Sequence, residues 1–385
     1  MRIVTALIAF QIGCVFSHAR EESAQASEPA PFRVASVLTH KEALDRPHDI
    51  ELQGNVAFVP GKGGSLAILD VTDPRSPEII WHRRQPKELN DAETVLPLDD
   101  RLFLGTNDFH SIDISNPRKP VFLSRISDRK QIARMNGMVR RDQWIFAASK
   151  HGWLDAFDIS DPKQPTLASA ADIKSRFGVG SPHDVDLFGD HAVVPDPAGF
   201  DRSKQAGKLA LVRVFGTRTK QLLPAEKWTL TGIVVSKELA GANRVQVLGN
   251  HAFVGASTRA GGGMFVVIDL SDSSSPQQVA TLPFAPNDGW GPNGLTVAGN
   301  VVFLAGGQSV EAIDIREPTQ PKKLANQSFP KELANANPRY KGGGDSGHDL
   351  VYRDGYLYVT GQNDNCLLVL QVESKQIRDL AQVAR

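Results

Sequence analysis

A turn motif that recurs along the chain constrains the fold more than any other feature of the sequence. Its clearest copy reads Asp-Val-Thr-Asp-Pro-Arg-Ser-Pro at residues 70–77, directly after an apolar run at residues 66–69. The acidic residue and the proline suit a type I turn, because proline presets φ at the second turn position. Further copies stand at residues 113–120, 158–165, 269–276 and 314–321, and two eroded copies keep only the apolar run, at residues 209–214 and 367–372. The chain therefore contains seven units.

Each unit contains the segments expected of four short strands. A first strand is followed by a Gly, Asn or Asp turn, an aromatic or β-branched second strand, the apolar third strand and a fourth strand after the motif. The positions that open the first strands lie 44 to 60 residues apart, at His48, Ala92, Asn136, His183, Asn243, Asn293 and His348. Such repeats are typical of propellers. We predict an all-β fold, a seven-bladed β-propeller of four-stranded antiparallel blades, as a single domain over residues 32–385.

The composite pattern resembles a known family. It reads His-Asp-apolar at residues 48–50, Gly-Asn at residues 54–55, an aromatic strand, and Leu-x-Ile-x-Asp-Val at residues 66–71. This pattern is similar to the LVIVD repeat of secreted or surface proteins of bacteria and archaea, and the likeness covers nearly all of residues 32–373. The resemblance implies a β-propeller, in agreement with the strand count, but it implies no single activity.

The two chain ends are expected to share one blade, because joining them leaves no long exposed sheet edge. Residues 31–38 look like a fourth strand that lacks the three strands before it. We predict that this N-terminal strand completes the blade that begins at His348 and so closes the ring. Residues 377–383 are the alternative candidate for the same place.

The N-terminus has the pattern of a secretory signal peptide over residues 1–19. A positive charge at Arg2 precedes an apolar run at residues 3–16, and Ser17 and Ala19 are the small residues before the cleavage point. Residues 20–31 read as a flexible leader. The protein is thus predicted to be secreted, to the periplasm, the cell surface or the medium. The alternatives are a transmembrane anchor, which needs about 20 apolar residues, and a lipoprotein acylated at Cys14.

Charge and cysteine content narrow the choice of partners. Lys plus Arg and Asp plus Glu are equal at 43 each, so no global field favours nucleic acid or an anionic membrane. After signal cleavage Cys366 is the one cysteine left. It opens an apolar strand, which predicts a small buried hydrophobe instead of a reactive thiol.

The order of the strands predicts two unequal faces. The Asp-Pro turns and the turns between first and second strands lie on one face and are short. The opposite face carries the second-to-third hairpins and the loops between units, which are long and dissimilar at residues 82–91, 172–182, 284–292 and 329–347. We call this the variable face and place any binding site there, because variable loops on a rigid scaffold usually carry binding.

The most specific chemical signal is the dipeptide His-Asp that opens three first strands. With the asparagines at sister positions it predicts a polar ring at the channel mouth, made of His48, Asp49, Asn136, His183, Asp184, Asn243, Asn293, His348 and Asp349. One interpretation is structural, with these side chains hydrogen-bonding nearby backbone. The others are ligand contact, or a divalent metal held by His48, His183 and His348.

The leading functional hypothesis is a non-enzymatic binding scaffold without a cofactor, which engages a protein, peptide or glycan through the variable face. The alternative is a metal-assisted hydrolase or oxidoreductase that uses the His-Asp positions. A third possibility is a surface protein that assembles with its own kind. The sequence contains no nucleophile elbow, Walker loop, metalloprotease helix motif or dinucleotide fingerprint.

Overall fold

A computed structural model describes residues 30–199, 205–258, 263–284, 291–329 and 347–383 of the protein. In these ranges seven four-stranded antiparallel sheets form the blades of a propeller, as the repeats predict. The predicted signal peptide and most of the predicted leader lie outside the described residues. So do large parts of the predicted loops at 284–292 and 329–347.

The first strand of each blade is innermost, and the chain runs outward through the sheet. Blade 1 consists of β2 (Glu51–Gln53), β3 (Val56–Gly61), β4 (Ser65–Asp70) and β5 (Glu78–Arg84), and blade 2 of β6 (Thr94–Leu98), β7 (Arg101–Gly105), β8 (Phe109–Asp113) and β9 (Val121–Ile126). Blade 3 consists of β10 (Met135–Arg141), β11 (Trp144–Ser149), β12 (Trp153–Asp158) and β13 (Thr166–Asp172), and blade 4 of β14 (Asp186–Phe188), β15 (His191–Asp196), β16 (Gly207–Arg213) and β17 (Thr229–Ser236).

The remaining blades repeat this order. Blade 5 consists of β18 (Ala242–Leu248), β19 (His251–Ala256), β20 (Met264–Asp269) and β21 (Gln277–Pro283), and blade 6 of β22 (Gly294–Ala298), β23 (Val301–Gly306), β24 (Ser309–Asp314) and β25 (Lys322–Ser328). Blade 7 consists of β26 (Asp349–Arg353), β27 (Tyr356–Gly361), β28 (Cys366–Val372) and β1 (Phe32–Thr39). The helices in the described ranges are α1 (Ile173–Phe177), α2 (Lys375–Ala381) and a 3-10 turn (Ala225–Lys227).

The hydrophobic core lies between adjacent blades. The second and third strands are rich in apolar residues and are buried along most of their length, because each packs on the neighbouring sheet. Between blades 1 and 2, for example, Phe58 and Leu66 lie in one cluster with Leu102 and Ile112. The outer strand β9 instead alternates exposed and half-buried residues, as one side of it faces water.

The recurrent turns have the chemistry that the sequence predicts. Asp70 accepts a hydrogen bond from the backbone N–H of Thr72 at 2.9 Å, and Asp73 accepts one from that of Arg75 at 3.0 Å. Blade 5, which lacks the proline after Asp272, keeps this bond through the N–H of Ser274 at 2.9 Å. A bond from the side-chain oxygen of Asp or Asn to the backbone N–H two residues later therefore recurs in these turns, and proline reinforces the turn.

The N-terminal strand closes the ring, which confirms the first of the two candidates. β1 pairs with β28 from Phe32 opposite Val372 to Thr39 opposite Cys366. The alternative is wrong, because residues 375–381 form α2. The Oγ atom of Ser374 caps this helix by accepting from the N–H of Ile377 at 3.4 Å. No helix in the described ranges is long and apolar enough to cross a membrane.

Candidate functional site

The innermost strands place one polar residue from each blade around the channel mouth. In every blade this residue stands five positions before the last residue of the inner strand. The members of this ring, which we call the mouth ring, are His48, Glu93, Asn136, His183, Asn243, Asn293 and His348. The position expected at Ala92 is therefore wrong by one residue. Ala92 is fully buried in the core between blades 1 and 2, and Glu93 takes its place in the ring.

Several members of the mouth ring bind the backbone of the next blade. The Nδ1 atom of His348 lies 2.8 Å from the carbonyl oxygen of His48, and Nδ1 of His48 lies 2.8 Å from that of Glu93. A carbonyl only accepts, so both Nδ1 atoms carry the proton. Asn136 Nδ2 likewise donates to the carbonyl of His183 at 2.7 Å. These bonds join adjacent blades where their inner strands begin.

The other ring members also have partners at the mouth. His183 Nδ1 donates to the carbonyl of Ser181 at 2.7 Å, within its own blade. Asn243 Nδ2 donates to the carboxamide oxygen of Asn293 at 3.0 Å, which links blades 5 and 6. The rings of His48 and His348 also pack together, with their centroids 4.0 Å apart.

The aspartates that follow the histidines have the same connecting function. Asp49 accepts from its neighbour Ile50 at 2.8 Å and from the N–H of Val95 in blade 2 at 2.9 Å. Asp184 accepts from the N–H of Val245 in blade 5 at 3.0 Å. Asp349 instead pairs with the guanidinium of Arg244 at 3.1 Å across the channel. The three carboxyl groups thus connect different blades by hydrogen bonds.

The metal interpretation is not supported by this geometry. Burial lowers the pKa of His183 to about 3 and holds the pKa of His48 and His348 well below the usual value, so all three are neutral near pH 7, the form in which an imidazole can bind a metal. Their Nδ1 atoms bind backbone carbonyls, so a metal would have to be held by the Nε2 atoms. Among the described residues no three His, Cys, Asp or Glu side chains converge as metal ligands do.

Three cations surround the buried carboxylate of Glu93, and we call these four residues the Glu93 cluster. Lys150 Nζ lies 2.6 Å from Glu93 Oε2, while Arg134 Nη2 and Lys62 Nζ lie 3.4 and 3.8 Å from Oε1. The Glu93 side chain is fully buried, and the pKa of this carboxyl is about 2 because the neighbouring lysines and Arg134 outweigh its burial. Lys62 and Lys150 come from second-to-third hairpins of blades 1 and 3, and Arg134 precedes β10.

The cluster borders a cavity of about 470 Å³ at the mouth of the channel, on the variable face. Its described lining contains Lys62, Arg134, Lys150, His151, Ser181, Arg244 and Gln362 together with ring members. Below it a narrower space of about 220 Å³ is lined by carboxylates such as Asp184 and Asp186. Burial raises the pKa of these two groups to about 7 and about 6. Lysine and arginine side chains therefore line the mouth, and aspartate and glutamate side chains line the channel interior together with Arg244.

The sequence signal found the mouth ring but missed its charged neighbours. All nine predicted residues lie at or just inside the mouth. Glu93 could have been predicted from the sequence, because it directly follows the predicted position at Ala92. Lys62 and Lys150 stand in hairpins that have no shared motif, so only the closed ring shows that they converge.

The comparisons with known proteins agree with this architecture. Fold and channel define a seven-bladed β-propeller, and a family model described as "LVIVD repeat" matches residues 47–81, 104–128 and 241–281. The chain therefore contains LVIVD repeats. A search of curated proteins returned no match.

Solved structures with the same fold are distant in sequence. The WD40 domain of Pan2 from Neurospora crassa is 10% identical, with a TM-score of 0.58 over 89% of this chain and 96% of that one. The computationally designed Ika8 protein is also 10% identical, with a TM-score of 0.52 over 87% and 98% of the two chains. At this identity the likeness concerns the fold alone.

Proposed function

We propose that the protein is a secreted, non-enzymatic binding scaffold that holds a protein, peptide or glycan on its variable face. The observation that carries the proposal is the mouth cavity of about 470 Å³, which is polar, concave and formed by several blades. Concave sites with a few convergent polar groups are where proteins usually bind ligands.

The walls of this cavity are suited to binding because they are held in place before a ligand arrives. Bonds from His48 to Glu93 and from His348 to His48 fix the mouth ring to the blade cores. A preorganised site loses less entropy on binding than a mobile one.

The proposal includes export of the protein from the cytoplasm. The N-terminal pattern and the resemblance to LVIVD repeats both support export to the periplasm, the cell surface or the medium. We expect that the purified mature protein begins near residue 20, which N-terminal sequencing of material from the native host can establish.

A blocking variant tests the proposed function without changing the charge of lysines or arginines. His151 is an exposed residue at the mouth, and Gln164 is exposed in the Asp-Pro turn of the same blade. Wild-type protein, His151→Trp and Gln164→Trp are applied to peptide and glycan arrays. We expect defined ligands that His151→Trp loses and Gln164→Trp keeps. Binding that only Gln164→Trp abolishes, or no selective binding at all, contradicts the proposal.

A further inference from the structure

The outer strand of blade 4, β17, lies at the edge of its sheet. Among the described residues it pairs with β16 on one side and with no strand on the other. The backbone N–H and C=O groups on the open side of such a strand are a template for pairing with a further strand. Each of the seven blades ends in an edge of this kind, so the blades differ only in how well their edges are protected.

β17 lacks the protective residues that the other outer strands carry. Charged side chains and prolines on an edge strand oppose its pairing with a second chain. The other outer strands each contain such a residue, namely Arg33 in β1, Arg83 in β5, Arg125 in β9, Asp172 in β13, Pro283 in β21 and Lys323 in β25. The sequence of β17, Thr-Leu-Thr-Gly-Ile-Val-Val-Ser, contains neither a charge nor a proline. It is therefore the outer strand least protected against pairing.

Two β-branched side chains of β17 face the solvent. Ile233 is 36% exposed and Val235 is 56% exposed, whereas Val234 between them packs against the core between blades 4 and 5. The bulge of the strand falls at Thr231, so residues 232–236 form a regular edge. The two exposed apolar side chains thus lie symmetrically on either side of Val234, on one face of a regular segment.

The outer strand of blade 2 shows why exposed apolar residues alone are not enough. β9 exposes Val121 at 57% and Leu123 at 37%. Its bulge falls at Leu123 itself, and the charged Arg125 follows two residues later. A bulge and a charge both oppose the pairing of an edge strand. β9 is therefore a matched control for β17 within the same protein.

The symmetry of β17 favours a second copy of the same strand as its partner. In an antiparallel pair with a two-fold axis at Val234, Ile233 of each copy lies directly opposite Val235 of the other. Side chains directly opposite each other on one face interact across the pair, and both apolar side chains are removed from water. β17 contains no charge, so this register brings no like charges together within the strand. Such a contact is isologous, as in most two-fold dimers.

We propose that β17 is a dimerisation edge, at which two copies of the protein join their blades 4 into one continuous antiparallel sheet with Val234 opposite Val234. The contact lies at the outer end of the blade and does not use the mouth cavity. The inference therefore stands or falls independently of the proposed binding function. Pairing through one short strand buries little area, so the dimer dissociates on dilution.

Sedimentation velocity over a series of protein concentrations tests the pairing. We expect the average mass of wild-type protein to rise from that of a monomer toward that of a dimer. Two double variants test the register, because Ile233→Lys/Val235→Lys places like charges opposite each other and Ile233→Lys/Val235→Glu places opposite charges there. The first should weaken dimerisation by about tenfold or more, since two apolar pairs are replaced by two like-charge pairs. The second should dimerise more tightly than the first.

The control variant Val121→Lys/Leu123→Lys adds the same charge to β9 and should dimerise as wild-type protein does. Hydrogen exchange of wild-type protein supplies a readout that needs no variant to fold. The outward-facing amides of residues 232–236 should exchange more slowly at high protein concentration than at low concentration.

Three results overturn the inference. The first is a wild-type protein that stays monomeric at every concentration, and protected amides at residues 232–236 in that monomer would show that another segment of the same chain covers the edge. The second is equal dimerisation by the two double variants of β17. The third is loss of dimerisation in Val121→Lys/Leu123→Lys alone, which would place the contact at β9.

Discussion

Asp155 is a carboxylic acid inside blade 3 with a single hydrogen-bond donor beside it. Its side chain is fully buried, Ser149 Oγ donates to Oδ2 at 2.8 Å, and Oδ1 has no hydrogen-bond partner among the described residues. Burial raises the pKa of this carboxyl from 3.8 to about 8. In the folded protein Asp155 is therefore protonated at neutral pH, whereas in the unfolded chain it is ionised.

The size and sign of the effect follow from this shift. Between about pH 4 and pH 8 the folded state binds one more proton than the unfolded state, so stability falls as pH rises. From pH 3.8 to pH 7 this amounts to about 4 kcal/mol, at about 1.4 kcal/mol per pH unit. Asp155→Asn has the shape of the protonated acid and cannot titrate. We expect it to be more stable than wild type by several kcal/mol at pH 7.

Urea unfolding followed by tryptophan fluorescence at several pH values measures the difference between the two proteins. Because all other groups are shared, the difference reports Asp155 alone. It should be near zero at about pH 4 and grow steadily to about pH 8. Ser149→Ala is the matched control, since it keeps the titrating carboxyl and its pH dependence. A difference in stability between wild type and Asp155→Asn that does not change with pH would show that the pKa of Asp155 is not raised in the folded protein.

Three further predictions concern the inner strands, the mouth ring and the closure of the ring of blades. An added Cβ at Gly137 would lie 2.0 Å from Asp184 Oδ1 and 2.8 Å from Asp184 Cα. Gly137→Ala should therefore lower the free energy of unfolding by about 1–3 kcal/mol. An unchanged melting temperature in calorimetry would contradict this prediction. His48→Ala leaves the buried Glu93 carbonyl without its hydrogen-bond donor and should lower the free energy of unfolding by about 1–3 kcal/mol. Elemental analysis should find the same metal content in the variant as in wild-type protein. A stoichiometric metal that this variant loses would contradict the structural role. Deleting residues 30–39 removes β1 and exposes the edge of blade 7, so light scattering should show self-association. A monodisperse monomer would contradict closure of the ring by the N-terminal strand.

The blades could be predicted because their information is local and repeated. The turn at residues 70–77 specifies one hairpin, and five clear copies with two eroded ones specify the number of sheets. The N-terminal strand was predictable for the same reason, since residues 31–38 look like the fourth strands elsewhere. The helix α2 was not predicted, because it is only seven residues long. Its position depends on the packing of Ile377 in a core cluster that includes residues distant in sequence, such as Val301.

The site was predictable only where it coincides with the repeat. His48, His183 and His348 stand at equivalent repeat positions, and the structure shows them binding backbone or each other. Lys62 and Lys150 belong to different hairpins and meet at one carboxylate only because blades 1 and 3 flank blade 2. Such convergence depends on how the closed ring places separate loops, and no single repeat encodes it.

A crystal structure of the protein with a ligand selected on the peptide or glycan arrays decides which face of the propeller binds. We expect the ligand to occupy the mouth cavity on the variable face, in contact with His151. A ligand bound at the Asp-Pro turns instead would show that the variable face is not the binding face.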